Sequence, residues 1–582
     1  MCPTDSPREL PSALGKQTTW LSCGLESLVD EYPRIANATL QRDGEYDFDV
    51  VIVGSGYGGA IAAAELSACT DETGQPLRLC ILERGQEYLS GAFPSRQADL
   101  AGHVRFMTPD ARRQMGAHDG LYDVRSSEDA VTVVASGLGG GSLINAGVME
   151  MPRNEVFREG RWPHAIRVDE TLFELAGLLR HSVGARPLPA AHVGLLKKTG
   201  QLNRLATTTL LPITVSTSSG PNSAGVLLNE CAMCGDCATG CNHGAKNSLD
   251  LNLLFLANQS GARLVTGATV LRFAPCTDAG WVVHVNHTDN HLRDRQSTPF
   301  QVRTKRLILS AGTLGSTEIL LRSQGALRFS AQLGRKFSAN GDMLVTAYGL
   351  DEVVNAVADE TEPPAAAAQK GSGPRAIGPT ITAMIDLRTG NPESDLVIQD
   401  LAVPGPLRRL FEEAITSFDV LNQLGQRPWR RYERDCPKHD DAAVNRDAVK
   451  HSLVLAMIAR DDADGELTLG DKALCDDADG LLTVHWPALR MDRRFDEHHR
   501  RLKELMAKSR IGGRVVNNLL WRPFAEELER LFGRQRGPLV TVHPSGGARW
   551  AMTSARGSLT IAGASSTRVV QARLLCIPAW SF

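Results

Sequence analysis

The spacing of apolar and polar residues changes several times along the chain, and each change marks an element. The β-branched run Val50-Val51-Ile52-Val53 enters a glycine turn, Gly54-Ser55-Gly56-Tyr57-Gly58-Gly59. An Ala-rich pattern of helical character follows, which predicts strand, turn and helix in that order. Leu79-Cys80-Ile81-Leu82 predicts a second strand, ending in Glu83. Residues 44–150 continue this alternation, and residues 261–325 return to it, with Arg263-Leu264-Val265 and Leu307-Ile308-Leu309 as strands. Alternating runs between 377 and 490, such as Gly378 to Ile385 and Ser452 to Ile458, predict an antiparallel sheet. Asp464-Gly465 reads as a hairpin turn before Glu466-Leu467-Thr468-Leu469. Residues 492–533 are charged with a helical period, and residues 1–43 read as an extension ahead of the first strand. A low-complexity loop runs from Asp359 to Pro374.

The first glycine turn carries chemistry. A strand, a Gly-x-Gly-x-x-Gly turn and a helix together form a dinucleotide cradle. Gly54 permits the tight turn, Gly56 leaves room for a pyrophosphate, and Gly59 lets helix and strand pack closely. Free amide groups at the helix start face the phosphates. Glu83 stands where an acid bonds both ribose hydroxyls. The candidate cofactor contacts here are Gly54, Ser55, Gly56, Gly58, Gly59 and Glu83.

Bulk properties narrow the class. With 582 residues the chain has room for two or more domains. Its 63 basic and 66 acidic residues nearly cancel, and no basic stripe points to nucleic acid. The N-terminal residues lack a secretory pattern, and no apolar run is long enough to span a bilayer. The expectation is a cytoplasmic protein, with room for transient contact at a membrane surface. Of the twelve cysteines, eight are scattered as small hydrophobes and four are clustered.

Three further elements matter together. Ala135-Ser136-Gly137-Leu138-Gly139-Gly140-Gly141-Ser142-Leu143-Ile144-Asn145 is a second glycine-dense loop without the strand–acid arrangement of a second fingerprint. It suits close backbone approach to a flat ring or a pyrophosphate. The third is Leu309-Ser310-Ala311-Gly312-Thr313-Leu314-Gly315, and the fourth is Thr541-Val542-His543-Pro544-Ser545-Gly546-Gly547. With these four elements in order over residues 47–547, the chain resembles the glucose–methanol–choline (GMC) family of flavin oxidoreductases. Leu333 to Asp342, and the cysteine cluster ahead of Gly244-Ala245-Lys246-Asn247-Ser248, resemble its cholesterol-oxidase-like branch.

The resemblance implies an α/β fold with noncovalent FAD. It implies a doubly wound, Rossmann-like FAD domain over 44–160, 245–335 and 535–547. An α+β substrate domain with a mostly antiparallel sheet then takes 161–244 and 336–534. The implied reaction is oxidation of the CH–OH group of a sterol or another bulky apolar alcohol, with oxygen or an electron carrier as acceptor. His543 matches the family's active-site histidine and would partner the substrate hydroxyl. Gly139, Gly140, Ser142 and Asn145 would lie against the pyrophosphate and isoalloxazine, and Val270 would pair its backbone with adenine. Gly312 completes the implied cofactor set. Candidates for a second base include Asp400, and the sequence does not select among them.

Cys231-x-x-Cys234-x-x-Cys237-x-x-x-Cys241 has the spacing of a bacterial ferredoxin ligand set, although Asn242 replaces the proline that usually follows. An iron–sulfur cluster, a tetrahedral zinc, or a reactive or disulfide-linked loop all fit that spacing.

The end departs from the family, which continues after Gly547 with Cys, a small residue, Met and acids, then an Asn-Pro segment supplying a second active-site partner. This chain reads Ala548-Arg549-Trp550-Ala551-Met552-Thr553-Ser554. Read from the third base of each codon, Trp550-Ala551 gives Gly and Met552-Thr553 gives Asp, so the degenerate positions permit the family ending. The expectation is a frameshift that sets residues 548–582 apart as an atypical tail, and resequencing the 3′ end tests it. On that expectation an inactive product without the flavin-site segment stands as an alternative reading.

Overall fold

The computed structural model describes residues 20–548 apart from 42, 109–113, 152–176, 178, 277–278, 362–375, 392, 427–448, 471–481, 519 and 523–535. Most of the low-complexity loop, the end of the 492–533 segment and the tail from 549 therefore lie outside the described residues.

A seven-stranded sheet carries the first glycine turn. Its order is Cys23–Gly24, Arg263–Thr266, Leu79–Leu82, Phe48–Val53, Phe300–Leu309, Trp281–His287, Ala268–Pro275. The first five strands run parallel and the last two join antiparallel. All six residues of Phe48–Val53 are buried, as expected of a central strand covered on both faces. The Ala-rich helix Tyr57–Ser67 packs on one face with Leu253–Gln259, while Ile319, Leu320 and Phe273 cover the other. A helix of small side chains can sit close to the sheet, and Gly59 requires it. A Cβ on Gly59 would stand 2.0 Å from the Gly54 carbonyl oxygen.

A second sheet is antiparallel throughout, in the order Gly512–Asn517, Met343–Leu350, Leu453–Ala459, Leu396–Leu401, Ala383–Asp386, Thr209–Leu210. Its core buries Val345, Ile398, Leu455 and Met457, and helix Arg494–Ser509 adds Phe495, Leu502 and Met506. This mixed α/β architecture agrees with a Rossmann-like half beside an antiparallel half. A five-stranded sheet, Leu539–Thr541, Ala130–Ala135, Tyr122–Ser126, Val104–Met107, Gln114–Gly116, leads into both the second glycine loop and the His543 segment.

A strand, Ala130–Ala135, runs directly into the second glycine loop. Three expectations need correction. Asp464-Gly465 is not a hairpin turn. Gly465–Leu469 pairs with Leu482–His485 and Arg335–Phe337, whereas Leu453–Ala459 belongs to the antiparallel sheet. Gly465 is needed for space instead: a Cβ there would crowd Phe337 and Trp486 at 3.1 Å. Within 492–518 the helix stops at Ser509, because Gly512–Asn517 completes the sheet edge beside Met343–Leu350. Of the run Gly378 to Ile385, only the residues from Ala383 onward form a strand.

Candidate functional site

The two glycine loops meet. Gly54, at φ +92°, turns the chain tightly against Ser310, whose carbonyl oxygen would lie 2.4 Å from any Cβ there. Gly56 precedes helix Tyr57–Ser67, and no side chain caps that helix start. Gly140, at φ +53°, faces Gly56 so closely that a Cβ on it would stand 2.7 Å from the Gly56 Cα. Ser55 stitches the loops together from beneath. Its hydroxyl donates to Glu83 Oε2 at 2.6 Å, and Gly139 N donates to the Ser55 oxygen at 3.0 Å. Ser55 and Gly58 are buried, while Gly56 keeps an open side.

Glu83 is also tied down, accepting from Ser55 N and Gly85 N at 3.0 Å each. Its main chain reaches Ala268 through an amide bond of 2.9 Å, which brings the strand holding Val270 beside it. Val270 sits at a bulge in the ladder, where the register shifts before Arg272. Ser142 Oγ donates to Gly139 O at 2.7 Å and accepts from Leu249 N at 3.1 Å. Asn145 Nδ2 donates to the Tyr57 hydroxyl at 2.7 Å, tying the second loop to the first helix. Burial pushes the Tyr57 phenol up to about 12, so it stays neutral as an acceptor.

Lys246 is a clamp that sequence reasoning passed over. Its ammonium donates to the carbonyls of Leu143 at 3.1 Å, Asn145 at 2.5 Å and Cys237 at 3.2 Å. Burial lowers its pKa to about 8. Nearby Asp250 is pushed up to about 7 by burial, and its Oδ1 has no hydrogen-bond partner. The signal for Lys246 was present as a lone lysine inside the Gly244–Ser248 run, but its three acceptors belong to separate segments.

The His543 segment packs beside Thr313, three residues beyond the Ser310 that abuts Gly54. Ser545 pairs with Ser338 through amide bonds of 2.9 and 3.0 Å, and Gly334 N donates to Gly547 O at 2.7 Å. Gly546 must be glycine, since a Cβ would lie 1.8 Å from the Lys336 carbonyl oxygen. The Thr313 hydroxyl donates to the Pro544 carbonyl at 2.8 Å, which places His543 beside the start of helix Gly312–Arg322. Gly312 opens that helix at φ +69° with free space around it. The imidazole Nδ1 is 2.9 Å from both oxygens of Asp342, a residue the sequence did not single out for any role. Burial lowers the His543 pKa, but the charge and hydrogen bond of Asp342 outweigh it and raise the ring above its ordinary value.

Two readings find no support among the described residues. Asp400 is fully buried between Lys198 at 2.8 Å, Thr199 and the amides of Thr382 and Ala383, so it faces no substrate. Cys231, Cys234, Cys237 and Cys241 do converge on one small cavity. Among the described residues, however, no group of three or more His, Cys, Asp or Glu is placed to hold a metal ion. The described residues thus lend no support to the iron–sulfur and zinc readings of their spacing. Burial raises the thiols of Cys231, Cys234 and Cys237, which keeps them neutral.

A glycine cradle against an uncapped helix, with an acid at the second strand, is the arrangement of a dinucleotide site, and the residues present fit FAD. Residues 48–338 match the family model described as GMC oxidoreductase. The chain belongs to this family. Its members are FAD-binding flavoproteins. A cholesterol oxidase of Mycobacterium tuberculosis is 28% identical over 324 residues, covering 52% of this chain and 53% of that protein. A cholesterol oxidase of Acinetobacter baumannii is 25% identical over 326 residues, covering 52% and 55%. The chain thus spans about half the length of the curated relatives it matches. The structure of a fungal aryl-alcohol oxidase superposes with a TM-score of 0.50 over 89% of this chain and 92% of that one, at 13% identity, a likeness of fold alone. Among the described residues no helix is long and apolar enough to cross a membrane.

Proposed function

We propose that this GMC oxidoreductase uses FAD to oxidise the CH–OH group of a sterol or another bulky apolar alcohol. The observation that carries the proposal is the placement of His543 at the start of helix Gly312–Arg322, on the side of the glycine cradle where Ser310 and Gly54 touch. FAD, when bound, supplies the acceptor for the hydride that leaves the carbinol carbon. His543 takes the hydroxyl proton, without which the hydride cannot leave. The paired loops at Gly54–Gly59 and Gly139–Asn145 hold the cofactor, Glu83 orients the ribose, and the backbone at Val270 meets the adenine. The product is the ketone or aldehyde. The electrons pass on to oxygen or to a carrier, and peroxide formation under air separates the two.

The sterol is favoured by the likeness to proteins named cholesterol oxidase, and the division into an FAD domain and a substrate domain follows the same likeness. The test is turnover by the full chain, loaded with FAD, on a panel of sterols, long-chain alcohols and aryl alcohols. Oxidation of a sterol with loss in His543→Asn supports the reading. Activity confined to small polar alcohols, or unchanged in His543→Asn, would sink it.

A further inference from the structure

We propose that Asp342 is the positioning residue of His543, holding the imidazole with Nδ1 protonated so that Nε2 is the nitrogen that accepts the substrate proton. The inference rests on the role given to His543 above. A carboxylate only accepts hydrogen bonds, so the nitrogen lying 2.9 Å from both Asp342 oxygens is the one that carries hydrogen. In the neutral ring the lone pair then belongs to Nε2. The acid is almost enclosed, with 9% of its side chain exposed, whereas the histidine keeps 31%. The pair therefore has a buried anchor and an open tip.

The carboxylate itself is held in place. Val542 N donates to its Oδ2 at 3.2 Å, and the Thr541 hydroxyl lies 2.8 Å from the same oxygen. That threonine oxygen accepts from His543 N at 3.0 Å, so backbone and ring of His543 are both referenced to one acid. The turn bearing Asp342 is fixed in turn by Asp461, which accepts from Ala339 N at 2.9 Å and Gly341 N at 3.0 Å. Asn340 and Gly341 both take φ +58° to make that turn. Two segments 201 residues apart meet through the Ser338–Ser545 bridge, and this brings acid and base into register.

Among the described residues the charges around the ring are few. Asp342 touches it, and Asp461 is committed to the Ala339 and Gly341 amides of the 338–342 turn. Arg335 and Lys336 on the adjoining strand are exposed, and Arg335 is paired with Glu466. On helix Gly312–Arg322 the first charge is Glu318, which is committed to Arg125 and Arg322. Asp342 is thus the group able to stabilise the imidazolium that forms when the hydroxyl proton arrives. The net rise in the His543 pKa agrees with this geometry.

The experiment is nitrogen NMR of the full, FAD-loaded chain labelled in histidine, with His543→Asn assigning the resonance. It is combined with the pH profile of substrate reduction rate in Asp342→Asn and Asp342→Glu. Wild type is expected to show Nδ1–H and a titration above the ordinary histidine midpoint. Asp342→Asn should shift the midpoint down and mix the tautomers, with a rate loss of about 10²-fold or more. Asp342→Glu, which restores an acceptor, should recover part of both. A wild-type ring protonated at Nε2 would overturn the proposal, as would an unchanged midpoint and tautomer in Asp342→Asn. The tautomer is read without turnover, so absence of alcohol oxidation would count against the proposed function and leave this inference to be judged by NMR.

Discussion

Gly140→Ala is the sharpest probe of the cofactor cradle. The substitution has two separate costs. Gly140 sits at φ +53°, where an L side chain loses about 1–2 kcal/mol. Its Cβ would also stand 2.7 Å from the Gly56 Cα, so the loops must part by roughly 1 Å to reach ordinary carbon contact. Overpacking of that size adds about 1–3 kcal/mol. The two together give about 2–5 kcal/mol, and even the lower figure weakens FAD binding roughly 30-fold if the parted loops hold the pyrophosphate. The neighbour supplies the control. A Cβ on Gly141 meets no atom within 4 Å, so Gly141→Ala should bind FAD as wild type does. The assay is titration of dialysed protein with FAD, read by flavin fluorescence, beside melting curves of the FAD-free proteins. Wild-type affinity in Gly140→Ala would refute the reasoning, and equal losses in both variants would show that the loop responds to any side chain.

Lys246→Met removes the donor from three carbonyls and should weaken FAD binding and lower the melting temperature together, since the second glycine loop loses its anchor. Asp250 titrates at about 7 in the folded chain against 3.8 unfolded, so the native state binds the extra proton and this group's stabilisation is lost as pH rises through that window. Unfolding free energies of Asp250→Asn and wild type, read by denaturant titration, should diverge in favour of the variant across it, by an amount of order 4 kcal/mol. Lys198→Met leaves the fully buried Asp400 without its cation and should cost about 3–5 kcal/mol in thermal or denaturant unfolding. Adding Asp400→Asn should return part of that loss, which a pair of independent sites would not do.

The parts of the fold written locally were legible. A β-branched block, a glycine turn and an Ala-rich run named the strand Phe48–Val53 and helix Tyr57–Ser67, because each signal lies within a few residues of its effect. Leu79–Leu82 was readable for the same reason. The errors came where a partner elsewhere in the chain decides the outcome. Asp464-Gly465 has turn chemistry, yet the flanking strands join different sheets. Val515 and Val516 are too short a β-branched signal to outweigh their charged surroundings, and Met343–Leu350 makes them a strand. In the site, His543 was visible through its Pro-x-Gly-Gly context. Asp342 and Lys246 were not, because their meaning lies in contacts with segments distant in sequence. The cysteine spacing was legible as a cluster, and the described residues show no group placed to hold a metal.

The central claim is most directly tested by mixing the FAD-loaded chain with a sterol in the absence of oxygen and following the visible flavin absorbance. The account predicts that the band bleaches with sterol, stays with buffer alone, and bleaches far more slowly in His543→Asn. A chain that takes up no FAD, or a flavin band that no sterol or other apolar alcohol bleaches, would contradict it.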